Sequence, residues 1–376
     1  MRLLALVTLV GCGRLGFADQ PPADGAPPST DLVVDVATDR LAGGPTIASL
    51  ADLPPSTQGL SLREALTIAA NRAGPDLVRF SFATPTTITI ASELVVAADT
   101  ALDATGNTVT IAPAAAYTGA LLHVTGDNAA ISSLALSGGA DAVRAVSVAN
   151  LTLKSLSLAT PTGDGIHLES CTHCEIDDCR VDHAAGEPVL VRTSSDLFVR
   201  RAFVALASKA GTLHGIEVES SSQIHILDSI IDPGTAWMID LQDTTDSEIT
   251  GNVIDGADTG ITLFGTTARI AIFRNVVTNP AQDSIYVDAS VTDTTITNNT
   301  FYNAPDITNN GVNTTEVNTL LSTNAADFVA PATYDFHLVA GSTSIDAATD
   351  VGQDMLPDSP ARYLGAGPDL GAVESF

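Results

Sequence analysis

The stretch GIEVESSSQIHILDSIID, residues 215–232, carries hydrophobic residues at 216, 218, 224, 226 and 230. These form two short alternating runs with a polar bend between them, the pattern of strands that bury one face. A lone hairpin would look the same, so the decision rests on repetition. Aligned on the first inward position, the chain has Ile166, Val189, Ile216, Ile239, Ile261 and Ile285, at steps of 23, 27, 23, 22 and 24 residues. Two residues on stand Leu168, Val191, Val218, Leu241, Leu263 and Val287. A second alternating pair follows as Cys174/Ile176, Leu197/Val199, Ile224/Ile226, Ser247/Ile249, Ile270/Ile272 and Thr294/Ile296. Three residues later come Cys179, Ala202, Ser229, Asn252, Asn275 and Asn299, then a third apolar run such as Val253-Ile254. Weaker rungs precede at Leu122/Val124 and Val146/Val148.

Each unit thus holds three strands of a few residues, too little apolar side chain to bury a core alone. Stacked, every strand pairs in parallel with its copy one turn away, about 4.8 Å off. The inward side chains then form continuous columns, and each repeat touches only its neighbours. A period near 23 with three strands per turn predicts an all-β parallel β-helix rather than a leucine-rich repeat or a propeller. Asn252, Asn275 and Asn299 are expected to stack as a structural ladder, and to supply the left-handed backbone that a sharp bend needs.

Composition agrees with an ordered chain. Of 376 residues, 45% are hydrophobic, and the formal net charge is −28 with only 16 Lys plus Arg. That surface repels phosphate backbones and anionic headgroups, so nucleic acid is not an expected partner.

The N-terminus reads as an export signal: Arg2 is followed by the apolar run 3–10, too short to span a bilayer. Leu9-Val10-Gly11-Cys12 resembles the lipobox of bacterial lipoproteins, which implies cleavage before Cys12 and its lipidation. Residue 13 is Gly rather than Asp, which under that resemblance implies the outer membrane or the cell surface. Residues 21–28, PPADGAPP, form a tether that cannot fold. Membrane contact is expected through the lipid alone, and the chain is taken as a monomer.

A solenoid leaves open edges that must be covered. Ser61 with Glu64 forms a capping box, Leu62, Leu66, Ala69 and Ala73 an apolar stripe, and Gly74 a stop, so a helix is predicted over 62–73. Asp76–Phe80 is expected to begin the strands. The segment Leu60-Ser61-Leu62-Arg63-Glu64-Ala65 resembles the CSLREA domain that precedes β-helices in many bacterial surface proteins, with Leu in place of the leading Cys. Phe336-His337-Leu338, Ile345-Asp346-Ala347 and the run 368–374, PDLGAVE, fit the same group. The wider resemblance is to the pectin-lyase-like fold, which implies a right-handed coil and hosts lyases, hydrolases, epimerases and adhesins alike. The expected layout is a signal over 1–11, anchor and tether over 12–32, cap over 33–80, β-helix over 81–330 and a closing segment over 331–376.

In enzymes of that fold, substrate lies along the outer face of the first sheet. The outward residues there are His167/Glu169, Leu190/Arg192, Glu217/Glu219, Asp240/Gln242, Thr262/Phe264 and Tyr286/Asp288. One reading has Ca²⁺ held by Glu217, Glu219 and Asp240, with Arg192 acting on an acidic sugar as in pectate-lyase-like enzymes. A second makes a carboxylate pair the acid and base of glycoside hydrolysis. The plainest is a solvated face that keeps the sheet soluble. Binding without chemistry would use His167, Glu169, Phe264, Tyr286 and Asp288. No lyase or polygalacturonase motif is present, and aromatic content is 5%. Cys171, Cys174 and Cys179 fit buried small residues, a 171–174 disulfide or, less well, a metal site, since their positions in the repeat diverge. The leading expectation is an exported, non-enzymatic surface or periplasmic protein that binds polysaccharide or another surface component. The alternative is a Ca²⁺-dependent lyase or a glycoside hydrolase acting on an acidic glycan.

Overall fold

In a computed structural model, the described residues are 31–206, 213–232, 237–256, 258–317, 320–322, 327–330 and 335–348. The signal stretch, Cys12, the tether and the run 368–374 lie outside them. Among the described residues, three parallel sheets of ten, twelve and eleven strands run the length of the body. Sheet one includes Ile166–Glu169, Val189–Arg192, Ile216–Glu219, Trp237–Gln242, Thr259–Phe264 and Asp283–Val287. Sheet two includes Thr172–Asp177, Ser195–Arg200, Ser222–Leu227, Thr245–Thr250 and Ala268–Phe273. Sheet three includes Arg180–Ala184, Ile230–Asp232, Val253–Asp255 and Val276–Thr278.

The chain is a parallel β-helix, and its stride is the one in the sequence. Ile166 faces Val189, Val189 faces Ile216, and Ile239, Ile261 and Ile285 continue the file. All six are fully buried, each burial favouring the fold by about 1.5–3 kcal/mol. One early rung differs. Val143 and Ala145, not Val146 and Val148, pair with Ile166 and Leu168. Val146 lies opposite outward-facing Glu169, and Val148 falls at the corner, where Ala149 bridges to Thr172.

Corners leave backbone groups that no strand pairs, and buried side chains satisfy them. Asn252 Nδ2 donates to Asn275 Oδ1 at 3.0 Å and to the Ile226 carbonyl at 2.8 Å. Asn275 Nδ2 donates to Asn299 Oδ1 at 3.0 Å and to the Ile249 carbonyl at 2.8 Å. The backbone N–H groups of Ser229, Asn252 and Asn275 each donate to the Asn oxygen one coil on. The left-handed residue at this corner, however, is the one before the ladder. Asp178, Arg201, Asp228, Gly251, Arg274 and Asn298 have φ of 52°, 51°, 48°, 71°, 54° and 57°. The ladder asparagines therefore work through hydrogen bonding, and the backbone reversal falls to their predecessors.

A second ladder runs down the corner between sheets one and two, through Cys171, Ser194, Ser221, Thr244 and Thr267. The Cys171 N–H donates to Ser194 Oγ at 3.0 Å, Ser194 N–H to Ser221 Oγ at 3.0 Å, and Thr244 N–H to Thr267 Oγ1 at 3.1 Å. Cys171 thus stands in a ladder rather than a free loop. Cys174 lies in the inward column and Cys179 in the asparagine file. All three are buried free thiols. Their Sγ atoms point at backbone carbonyls of Ala145, Val148 and Leu153 at 3.6, 3.8 and 3.6 Å.

At the N-terminal end, the helix spans Leu62–Asn71 and stops two residues short of expectation because Arg72 turns extended. Leu62, Ala65, Leu66, Ile68 and Ala69 join the solenoid core, while Ala73 is exposed. Glu64 is completely buried: it closes the capping box on Ser61, accepts from Ala42 N–H, and pairs with Arg40 at 3.1 Å. Arg63 bonds Asp39 at 2.6 Å and the carbonyls of Ser92 and Glu93 on the first coil. The strands begin earlier than expected, since Asp31–Val34 pairs in parallel with the strand Asp76–Phe80. At the other end, Phe328–Ala330 and Asp335–Leu338 form an antiparallel pair. Phe328 and Leu338 pack on Val253 and Val276, outward residues of sheet three.

Replacing Asn275 by Ala strips partners from buried groups on two coils, and a loss of about 2–3 kcal/mol is expected in urea denaturation followed by circular dichroism. A loss below about 0.5 kcal/mol, the size of an ordinary surface change, would contradict a structural ladder.

Candidate functional site

The outer face of sheet one brings charged side chains and aromatic rings together. Strand register places Glu217 beside Asp240, Asp240 beside Thr262 and Thr262 beside Tyr286. A column two residues before the first inward position adds Asp164, Glu187, His214 and Trp237. It is built by carboxylates that each accept a backbone N–H from the next coil. Glu187 N–H donates to Asp164 Oδ1 at 2.9 Å, and His214 N–H to Glu187 Oε2 at 2.6 Å. Gly215 leaves no room for a side chain beside this column, since a Cβ there would lie 2.7 Å from the Met238 carbonyl oxygen.

Arg192 makes a two-point ion pair with Glu219, at 2.6 and 3.2 Å. This pair holds the guanidinium charge above its ordinary range, against the cost of burial. His214 Nδ1 lies 3.5 Å from Glu187 Oε1 and 3.7 Å from Glu217 Oε2, ion-pair rather than hydrogen-bond distances. Burial opposes the imidazolium, but Glu187, Glu217 and Asp240 outweigh it and lift its pKa to about 10. Glu217 is correspondingly lowered by His214, with burial acting against. Asp240 is 3% exposed, and burial pushes it up to about 6 although Thr262 Oγ1 donates to it at 2.5 Å. Two carboxylates on adjacent strands are thus driven in opposite directions.

The rings of His214, Trp237, Phe264 and Tyr286 form a continuous stripe, with successive centroids 5.4, 4.8 and 5.3 Å apart. Trp237 and Phe264 start from opposite sides of the Asp240–Thr262 column, so their contact bridges it. This explains why outward-facing Asp240 and Thr262 are buried.

The expected site residues divide accordingly. Arg192, Glu217, Glu219 and Asp240 come together, as do Phe264 and Tyr286. The three carboxylates proposed for Ca²⁺ are otherwise engaged: Glu219 by Arg192, Asp240 by Thr262, and Glu217 facing His214. His167 is held by Asp164 at 2.9 Å, with Glu169 3.8 Å from its far nitrogen. Asp288 turns back on Ser290, accepting its N–H at 3.0 Å and its hydroxyl at 2.7 Å, and so serves its own turn. Nor is the face simply solvated, because Leu190, Glu217, Asp240 and Thr262 are all buried. Glu187, His214 and Trp237 escape a reading confined to residues that alternate with the inward pair. Their common stride two residues before Val189, Ile216 and Ile239 is the signal that marks them.

A family model described as "Right handed beta helix region" matches residues 137–301, so the coil is right-handed. The crystal structure of pectate lyase Pel9A superposes with a TM-score of 0.62 at 15% identity, over 94% of this chain and 98% of that one. The surface protein and adhesin PfbA of Streptococcus pneumoniae gives 0.50 at 12% identity, over 69% and 94%. The A-module of the Azotobacter vinelandii mannuronan C-5 epimerase AlgE6 gives 0.48 at 13%, over 68% and 89%. At such identities the likeness is one of fold. No curated protein matches the chain in sequence.

The raised Asp240 has a sign that can be checked. Its carboxyl holds a proton more tightly folded than unfolded, so ionising it between about pH 4 and 6 costs stability. Asp240→Asn is expected to gain about 3 kcal/mol over wild type at pH 7.5 and less than about 1 kcal/mol at pH 4, by urea denaturation at both values. An equal effect at both would place the carboxyl in an ordinary environment.

Proposed function

We propose that this chain is an exported β-helix protein that binds a polysaccharide along the outer face of sheet one. The observation that carries this reading is the ring stripe Trp237–Phe264–Tyr286 running into a band of hydrogen-bonding side chains. Sugar rings present apolar faces that stack on aromatics, and hydroxyls that carboxylates and guanidinium groups bind. The rings lie across three successive coils, so an extended chain suits them better than a compact ligand. With a net charge of −28, the protein favours a neutral glycan over a polyanion.

Trp237 is the single tryptophan of the chain, so its fluorescence reports directly on the site. A neutral polysaccharide is expected to change that emission saturably. Trp237→Ala should weaken retardation in glycan-containing native gels by about tenfold or more. Unchanged retardation of the variant would remove the aromatic face from recognition.

A second reading, glycoside hydrolysis, is favoured by one observation: Asp240 is raised and Glu217 lowered on neighbouring strands, the division that separates a general acid from an ionised partner. Under it, reducing ends appear from the bound glycan and Asp240→Asn stops them while binding persists. Lyase chemistry draws less support, because Glu219 ties up the guanidinium that would act on a uronate.

Anchoring is proposed through Cys12, on the strength of Arg2, the apolar run 3–10 and Leu9-Val10-Gly11. Such an anchor supports a location at the outer membrane or cell surface. The CSLREA-type reading of 60–65 draws support from the work its Arg63 and Glu64 do in seating the helix. Expressed with its own signal in a Gram-negative host, the chain is expected to incorporate a clickable fatty acid and partition with membranes. Cys12→Ala should lose the label, and label retained by that variant would place the acylation elsewhere.

A further inference from the structure

We infer that Glu187, His214 and Glu217 form a binding site for a divalent transition metal of borderline softness, typified by Zn²⁺. This stands apart from the glycan reading, and either can fail without the other. The three donor atoms lie within 4.8 Å of one another. Two of the edges, 3.5 and 3.7 Å, are too long for good hydrogen bonds. They are close to the roughly 3.4 Å that separates ligands in a tetrahedral shell with bonds of about 2.1 Å. His214 Nδ1 is buried and has no hydrogen-bond partner among the described residues.

The surroundings fix all three donors. Glu187 commits Oε2 to the His214 backbone N–H, which leaves Oε1 as the atom facing the imidazole. The ring plane of His214 is set by Trp237, stacked 5.4 Å away at 28°. Glu217 sits in register between Leu190 and Asp240, in the middle of the sheet. Binding releases the imidazolium proton to solvent; the neutral imidazole and two carboxylates then balance the charge of a dication, and a fourth position stays open for water or a ligand hydroxyl. Ca²⁺ is the poorer fit, since it takes six to eight oxygens, whereas an imidazole nitrogen with two carboxylates suits Zn²⁺ or its neighbours.

The competing description is a metal-free imidazolium held between two carboxylates, and calorimetry separates the two. Tag-free, metal-stripped full-length chain is titrated with ZnCl₂, MnCl₂ and CaCl₂ in turn. Expected are one Zn²⁺ per chain, an affinity at least about a hundredfold above that for Ca²⁺, and a change in Trp237 emission with the same midpoint. His214→Ala and, separately, Glu187→Gln should each weaken Zn²⁺ by at least about tenfold while keeping the wild-type circular dichroism spectrum. Asp246→Asn, on sheet two in an exposed pair with Arg269, should leave it within about twofold. No stoichiometric Zn²⁺ binding, binding that both triad variants retain, or Ca²⁺ bound as tightly as Zn²⁺ would each overturn the site. Should one variant misfold, the other carries the test.

Discussion

The structure depends on one constraint: every coil must stack on the last in register, with each corner's unpaired backbone groups satisfied by a side chain from the adjacent coil. Apolar columns alone do not impose this. Ile216 would pack nearly as well against a neighbour shifted along the strand, because Ile and Val fill similar space. The Asn252–Asn275–Asn299 file is less forgiving. Each side chain donates to a carbonyl of the preceding coil and accepts a backbone N–H from it, so a shift would orphan several buried groups at once. In the Cys171–Ser194–Ser221–Thr244–Thr267 file at the corner between sheets one and two, Ser194, Ser221 and Thr267 likewise accept a backbone N–H from the preceding coil, while the two serines donate to carbonyls of their own coil. Polar residues in the interior thus fix the register that hydrophobic burial stabilises.

Functional geometry follows from the same stride. His214, Glu217, Asp240 and Trp237 come from two coils, Glu187 and Arg192 from the coil before, and Phe264 and Tyr286 from the two after. Sequence neighbours scatter around the solenoid, while residues about 23 positions apart become adjacent. A face made this way lies on a sheet, so under the proposed glycan reading a ligand meets little ordering cost. It is also asymmetric, charged toward Arg192 and aromatic toward Tyr286, which suits an extended ligand lying in one direction.

The fold was legible because its signal is periodic. Ile166 through Ile285 keep step over six coils, and the capping box at Ser61 and Glu64 is local in sequence. The errors arose where periodicity is weak or geometry is finer than pattern. Val146 and Val148 are as apolar as Val143 and Ala145, so composition could not choose the rung; pairing with Ile166 and Leu168 did. The left-handed corner falls on Asp228, Gly251 and Arg274 rather than on the asparagines, a distinction of one residue. The site was half legible. Strict alternation finds Glu217, Asp240 and Phe264, but Glu187, His214 and Trp237 lie where each strand enters the sheet. The burial of Asp240 depends on two large rings meeting above it, which no spacing rule contains.

Register is therefore the claim to test most directly, and disulfide trapping reads it at single-residue resolution. His225 and Glu248 are partners on adjacent strands of sheet two, both facing out. Neighbouring strands lie about 4.8 Å apart, within the span a disulfide bridges, while a partner two residues further on is about 8 Å away. Under mild oxidation, the His225→Cys/Glu248→Cys chain should crosslink readily and the His225→Cys/Thr250→Cys chain should not. Equal crosslinking of both pairs, or of the second alone, would contradict the stacking on which the core, the corner ladders and the outer face of sheet one are built.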